Sequence, residues 1–364
     1  MENKIINQQA VDLLTAPCLL ENYFAGIIHM PGKGVTEQFS ENTNAGYIRI
    51  VRELPPGIQS RRLGANVNGG NFNGDGAKSV QSYEEELQLT DVYDGNIDIP
   101  EVSTDMFSLD LIEAQMRNVA GEVSTAINAA TIAEQLKAWA NSAANNKAQK
   151  VVMPETIGDT SYRDAVVEAG AILDDGDEEK DVQTYPTDFR QLIGRPTFIA
   201  KLHSKNNLPH GDLALQLLAR GVISEGTYKT NGNLYVGEMD GTPVYKAPSA
   251  VWTKAAAELL YEDNGNNVGA SSVKNTSAAF AEVKKIEAML VCGIGTARGV
   301  ASGNRVKSIP CPRGAGITLQ PKFRWGVECF YGTSVVPIVD NGFDLSKLVT
   351  AENLLKRVPV GSQG

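Results

Sequence analysis

A glycine-rich stretch is the first candidate for chemistry in this chain. Residues Gly293–Gly299 spell G-x-G-x-x-x-G directly after the strand-like run Leu290–Cys292, a spacing typical of loops that hold the phosphates of a dinucleotide. Such a loop needs a helix straight after its glycines, because the helix N-terminus binds the phosphate. Ser302–Asn304, Pro310 and Pro312 cut that helix short. A cytoplasmic enzyme using this loop is therefore only a distant alternative.

The remaining residues of catalytic type do not assemble into a site. The acidic run Asp174–Glu179 has carboxylates at alternating positions, but Lys180 stands where a calcium-binding loop needs Gly. A solvated acidic loop is the better interpretation. The three histidines fall outside any H-E-x-x-H motif, and Ser302 lies at the wrong spacing for a nucleophile elbow. We therefore predict no catalytic, cofactor-binding or metal-ligating residues, no cofactor and no enzymatic activity.

Composition narrows the class of protein further. The 364 residues are 42% hydrophobic, with no apolar run near the roughly 20 residues that span a membrane. Residues 1–6 lack the profile of a signal peptide, and the four cysteines form no C-x-x-C pair. We expect an intracellular protein without a disulfide framework and without a membrane partner. The net charge of −10 argues against coating nucleic acid, although residues 284–364 contain 11 basic and 5 acidic side chains.

An extended two-stranded arm precedes the rest of the chain. Strand-like runs at Gly46–Arg52 and Tyr83–Tyr93 flank a polar excursion whose tip, Ala65–Gly76, is rich in Gly and Asn. These residues tolerate positive φ and favour a turn over a packed core. Arg61 and Arg62 before the tip, and Glu84–Glu86 after it, can pair within the arm or with a neighbour, or simply be solvated.

A long amphipathic helix is predicted from Ser108 to about Ala144. Apolar residues spaced by three and four positions form one seam, with Leu136 and Trp139 widening its far end. The seam consists of Leu109, Ile112, Met116, Val119, Val123, Ala126, Ala130 and Ala133. Glu113, Gln115, Asn118, Glu122 and Asn128 are predicted to lie off it. Such a helix favours packing on a sheet, and the arm and helix together need apolar contacts from another copy.

The second half alternates short helices and strands. We predict a helix from Asp159 or Thr160 to Leu173, a strand at Thr197–Ala200 and a hairpin turning at Asp240–Gly241. Alternation of apolar and polar residues from Phe323 to Tyr331 predicts one long late strand. The fold class is α+β.

The order of these elements resembles the major capsid proteins of tailed double-stranded DNA phages, the Hong Kong 97-type fold. The resemblance spans about Asn44 to Asp344 and rests on architecture and loose motifs. The matching stretches are Tyr47–Arg52, Ser60–Ala65, Val92–Pro100, Gly237–Val244 and Trp325–Gly332. By that resemblance the chain divides into an N-terminal arm (1–45), an extended loop or E-loop (46–100), a peripheral domain with a spine helix (101–150), an axial domain (151–317) and a return strand of the peripheral domain with a C-terminal tail (318–364).

The resemblance also implies a function and partners. Copies of the chain would form hexamers and pentamers of an icosahedral shell around a phage genome, in a virion capsid assembled in the cytoplasm of the bacterial host. Portal and decoration proteins, and weakly contacted double-stranded DNA, are further implied partners. The same fold builds encapsulin compartments, so a cargo-loaded shell is the nearest alternative. No long charged helical segment precedes the arm, which favours a separate scaffolding protein.

One covalent possibility remains open. Some relatives join a loop lysine to a neighbour's asparagine, and Lys78 is the one lysine close to the loop tip. A solvated surface lysine is the simpler interpretation.

Overall fold

The computed structural model describes residues 36–40, 47–53, 82–88, 91–94, 97–100, 109–158, 160–176, 182, 184–202, 235–239, 241–259, 278–301, 305–310 and 316–349. Over this part of the chain the protein is α+β. Its strands are β1 Thr36–Ser40, β2 Tyr47–Glu53, β3 Ser82–Gln88, β4 Asp91–Asp94, β5 Ile97–Pro100, β6 Val151–Val152, β7 Arg190–Gly194, β8 Tyr235–Met239, β9 Thr242–Lys246, β10 Ile286–Cys292, β11 Thr296–Ala301, β12 Arg305–Pro310, β13 Gly316–Cys329 and β14 Val335–Val339. Its helices are α1 Leu109–Ala144, α2 Ser161–Asp175, α3 Pro196–Leu202, α4 Ser249–Leu259, α5 Ala278–Lys284 and α6 Leu345–Val349.

The first sheet is organised around the long strand β13. In the order β1-β11-β13-β12, β13 pairs antiparallel with both neighbours, and β4 and β5 also pair along it. Trp325 and Val327 on β13 are buried, and the half-buried Arg324 and Glu328 flank them. The predicted late strand is thus confirmed, and it begins further upstream than the alternation indicated, at Gly316.

The second sheet lies between two layers of helices. Its order is β6-β14-β10-β7-β9-β8. The spine helix α1 and α4 pack on one face, where Ile193 and Met289 contribute to the core, while α2 and α3 pack on the other, with Leu192 and Leu290. Every residue of β7 and β14 is buried. Continuous apolar strands of this kind are what a sheet covered on both faces requires.

The spine helix is 36 residues long and its middle is buried on several sides. Val119 and Val123 are buried as the seam predicted, and Leu136 and Trp139 are fully enclosed. The prediction for Asn128 was wrong, because this residue is only 2% exposed. From residue 127 onward the helix is buried on more than one face. The prediction of a single apolar seam therefore does not describe this part of the helix. The side chains of Leu109, Ile112 and Met116 lie outside the described residues.

A second prediction is corrected at Thr197–Ala200. This stretch belongs to helix α3, whose buried residues Phe198, Ile199 and Leu202 have helical spacing. Proline is well tolerated in the first helical turn, so Pro196 starts the helix where the sequence had suggested a strand. The predicted helix α2 and the β8–β9 hairpin are both present. Gly241, in the hairpin turn, has φ +78°, a conformation that favours glycine.

The sheets connect segments that are distant in sequence. β14, from the C-terminal segment, pairs with β10 and β6 in the second sheet. The five proposed domain bounds stay a prediction. Among the helices of the described residues, none combines the length and hydropathy needed to cross a bilayer.

Candidate assembly surface

A two-stranded ribbon stands apart from both six-stranded sheets. β2 and β3 pair antiparallel from Tyr47–Gln88 to Glu53–Ser82, and among the described residues neither strand pairs with any other. An isolated two-stranded ribbon is marginally stable in water and leaves two open backbone edges. The ribbon therefore requires a surface outside its own hairpin to bind against.

The side chain of Leu87 joins the base of the ribbon to the first sheet. Leu87 is 1% exposed and packs with Ala297 of β11 and with Phe330. The predicted tip, Ala65–Gly76, lies outside the described residues.

Two glycines allow close contacts at the turns that link the sheets, and one of them, Gly332, lies against the spine helix. A Cβ on Gly332 would collide with the backbone oxygen of Ala138 and with Ser142, and a Cβ on Gly295 would collide with Ser334. Gly332 begins the 3-10 turn between β13 and β14, the strands that belong to the two different sheets. The close backbone contact fixes the spine helix relative to both sheets.

A buried arginine holds the acidic end of α2. Arg190 is 3% exposed, and its Nη2 lies 2.6 Å from Asp174 Oδ1 and also donates to the carbonyl of Tyr185. Its Nη1 donates to Gly170 O at 3.3 Å. A buried cation requires such partners, because an unpaired one costs several kcal/mol. The acidic run predicted to be a solvated loop therefore begins with two exposed residues at the end of α2, of which Asp174 forms an ion pair.

A pocket lies at the other end of β7. It has a volume of about 380 Å³ and lies between the start of α3, helix α4 and the end of α5. Arg195 Nε donates to Ile286 O at 2.7 Å and Nη2 to Val283 O at 3.3 Å, and its guanidinium carbon lies 4.9 Å from the centre of the Trp252 ring. These contacts fix the guanidinium in one orientation.

Burial shifts the pKa values of two titratable groups that line this pocket. It lowers the pKa of the Arg195 guanidinium, and the negative charges of Glu287 and Asp340 oppose that change. It raises the pKa of the Glu287 carboxyl, an effect that Asp340 reinforces and Arg195 opposes. The two side chains are therefore coupled, and Arg195 offsets the charge of Glu287.

A buried carboxylate holds the C-terminal segment. Glu282, 3% exposed, accepts hydrogen bonds from Lys285 Nζ and from the backbone N–H of Asp344, both at 2.8 Å. Lys285 Nζ also donates to Gly342 O at 2.8 Å, and Lys347 lies 3.9 Å from Glu282. Burial raises the pKa of Glu282, but the hydrogen bonds from Asp344 and Lys285 outweigh it, so the net shift is downward.

The glycine-rich stretch does not form a dinucleotide loop. Gly293–Gly295 is a 3-10 turn, and β11 follows it directly. A phosphate-binding loop needs the N-terminus of a helix at this point, so Gly293–Gly299 lacks the geometry on which the enzyme alternative depended. Instead the turn joins β10 of the second sheet to β11 of the first.

The remaining predictions concern metal ligands and Lys78, and two clusters in the structure were not predicted at all. Across the described ranges no group of three or more His, Cys, Asp or Glu side chains is placed to hold a metal ion. Lys78 lies outside those ranges, so its role stays a prediction. Sequence reasoning missed the Arg195 pocket and the Glu282 cluster. Their residues come from segments far apart in the chain and carry no spacing that could have indicated them.

Comparison with known proteins finds similar folds among solved structures of phage heads and capsids. No protein-family model and no curated protein matches the chain. The head structure of Helicobacter pylori bacteriophage KHP40 is similar with a TM-score of 0.52, at 8% identity, over 89% of this chain and 90% of that chain. The acidic stable capsid structure of Helicobacter pylori bacteriophage KHP30 gives 0.51, at 9% identity, over 88% and 90%. A virus-like particle from Pyrococcus furiosus gives 0.46, at 9% identity, over 88% and 96%.

The likeness to the two Helicobacter phage structures extends over nearly the whole length of each chain. It agrees with the element order found here: a paired ribbon, a long helix, a sheet between helical layers and a long return strand. The chain therefore has the Hong Kong 97-type fold of phage capsid proteins.

Proposed function

We propose that this chain is a major capsid protein, a structural subunit that self-assembles into the icosahedral shell of a tailed phage. The observation that carries the proposal is the β2–β3 ribbon, which pairs with no further strand of the described chain and whose Leu87 packs on the first sheet. Because the fold is shared with phage capsid proteins, we infer that the ribbon binds a second copy of this chain. The chain acts by burial and hydrogen bonding between copies, and not as an enzyme.

The proposal also covers the oligomers, the partner proteins, the location and the domain bounds expected of a major capsid protein. Hexamers and pentamers build the shell, a separate scaffolding protein assists assembly, and portal and decoration proteins bind to the finished particle. The particle is the virion capsid, assembled in the cytoplasm of a bacterial host, and it contacts packaged DNA weakly because the chain is acidic overall. The domain bounds 1–45, 46–100, 101–150, 151–317 and 318–364 belong to this proposal.

Electron microscopy and light scattering of the purified protein test the proposal. We expect capsomers or closed shells, with scaffold added if required, and a melting temperature that rises with protein concentration. A well-behaved monomer whose cooperative melt does not depend on concentration would overturn the assignment. Particles produced in a phage-infected host and filled with DNA support a capsid, whereas particles that enclose a protein cargo would identify a compartment shell.

Deletion of Asn66–Gly76 tests the role of the extended loop. The deleted stretch is polar and rich in glycine, so we expect an unchanged circular dichroism spectrum together with loss or fragility of shells. Loss of the fold itself would show that the loop belongs to an intrachain core.

A further inference from the structure

The turn after β14 carries an asparagine–glycine pair at its tip. Asn341 and Gly342 are both exposed, and the N–H of Phe343 closes the turn on the carbonyl of Asp340 at 3.2 Å. Gly342 has φ +86°, a conformation that favours glycine. Asn341 and Gly342 are thus the two central residues of a surface turn.

The two groups of this pair that can react with each other are accessible. No described residue forms a hydrogen bond with the side-chain amide of Asn341 or with the backbone N–H of Gly342. A Cβ built on Gly342 would meet no atom within 4 Å, and glycine itself has no side chain that could shield its nitrogen. Among the asparagines of the described residues, Asn341 alone precedes a glycine.

We infer that Asn341, a residue of a thermolabile type, deamidates spontaneously in the folded protein. The N–H of Gly342 gives its proton to hydroxide, the nitrogen forms a bond to Cγ of Asn341, and the side-chain nitrogen takes up a proton from water and leaves as ammonia. Water then opens the cyclic imide that results. Cleavage between the Gly342 nitrogen and Cγ yields aspartate, whereas cleavage between that nitrogen and the main-chain carbonyl carbon yields isoaspartate.

Two hydrogen bonds restrain the turn, and the reaction requires it to open. The imide forms when the backbone of Asn341 rotates so that the nitrogen of Gly342 faces Cγ. Besides the bond that closes the turn, Lys285 Nζ donates to the carbonyl of Gly342 at 2.8 Å, and this contact is exposed. A surface turn held by so few contacts opens locally while the neighbouring strand β14 stays folded. The reaction therefore belongs to the turn itself and requires no second copy of the chain.

Both products act on the contacts that hold the C-terminal segment. Either one adds a negative charge at Asn341, and isoaspartate also lengthens the main chain by one carbon. Directly after the turn, Phe343 packs against Trp139 with 6.1 Å between the ring centres, and the N–H of Asp344 donates to the buried Glu282 at 2.8 Å. Both contacts depend on the path of the chain through the turn. Aged protein should therefore hold this segment less firmly than fresh protein.

Ageing of the full-length protein in warm, mildly alkaline buffer tests the reaction, with a fresh sample as the background. Trypsin releases the peptide Trp325–Lys347, in which Asn341 is the sole asparagine and glutamine is absent. Loss of an amide from this peptide, measured by mass spectrometry, therefore reports Asn341 alone, and isoaspartyl methyltransferase detects the isoaspartate product. The peptide Ala138–Lys147 is the internal control, because its asparagines are exposed and none precedes a glycine. We expect severalfold more amide loss from Trp325–Lys347.

Asn341→Ser tests the consequence for the C-terminal segment, because serine cannot form the imide. Fresh samples of the variant and the wild type should unfold at the same urea concentration, since the substituted side chain is exposed. After ageing, the midpoint of urea unfolding should fall further for the wild type than for the variant. Equal amide loss from the two peptides would overturn the assignment of Asn341 as the reactive site. An equal fall of the midpoint in both proteins would overturn its effect on the segment.

Discussion

Gly332 lies against the backbone carbonyl of Ala138, so close that a single added methyl group has no room. This contact joins the turn between β13 and β14 to the spine helix, and through that turn it joins both sheets to the helix. The carbonyl belongs to a helical backbone and cannot rotate away as a side chain would.

Gly332→Ala should destabilise the protein. Overpacking of a tight site costs about 1–3 kcal/mol, so we expect the midpoint of urea unfolding to fall with an unchanged slope. Gly121→Ala is the matched control. Gly121 lies in the spine helix, where an added methyl group would meet no atom within 4 Å, and the change should stabilise the helix by about 0.5–1 kcal/mol. Equal effects of the two substitutions would contradict the assigned contact.

Val119→Asp should yield insoluble or unfolded protein. Val119 is 4% exposed on the spine helix, and burial of an unpaired carboxylate costs several kcal/mol. Glu122→Gln should assemble normally, since Glu122 is exposed on the same helix and such surface changes usually stay within about 0.5 kcal/mol. Soluble yield and particle counts provide the measurement. Equal solubility of both variants would mean that the helix is not buried along the Val119 side.

Glu282→Gln should lower stability in a pH-dependent way. The folded pKa of Glu282 lies below its ordinary value, so its charge contributes stability above the unfolded pKa of about 4.3, and that contribution is lost as the pH falls through the folded value. At neutral pH we expect a loss of about 1–2 kcal/mol, because the hydrogen bonds to the charged group weaken. Urea unfolding of both proteins from pH 7 to pH 3 should show the difference shrinking with acid. A difference independent of pH would exclude the charge as its origin.

Cys329 should resist alkylation in the folded protein. Burial raises the pKa of its thiol to about 11, against the opposing hydrogen bond from Thr296. At pH 8 its reactive thiolate is then about two hundredfold scarcer than that of a free cysteine. Mass spectrometry of maleimide-treated peptides should show labelling of Cys329 only after unfolding in urea. Equal labelling of native and unfolded protein would show that the sulfur is accessible.

Local patterns along the chain were sufficient to predict individual elements. The three-and-four spacing around Val119 and Val123 predicted the spine helix, and the alternation around Trp325 predicted β13, because each element repeats its own geometry along the sequence. The order of these elements also indicated the Hong Kong 97-type fold, which the comparison with phage structures confirms.

Tertiary structure decided where each face of an element is covered and which distant residues meet. Asn128 is buried because the middle of the helix is enclosed on more than one side, and Thr197–Ala200 is helical because Pro196 begins a turn that packs on the second sheet. The pairing of Gly332 with Ala138 and the closure of the pocket around Arg195 depend on long-range contacts. Sequence periodicity reports only the neighbours within one element, whereas these contacts are determined by how the elements pack in space.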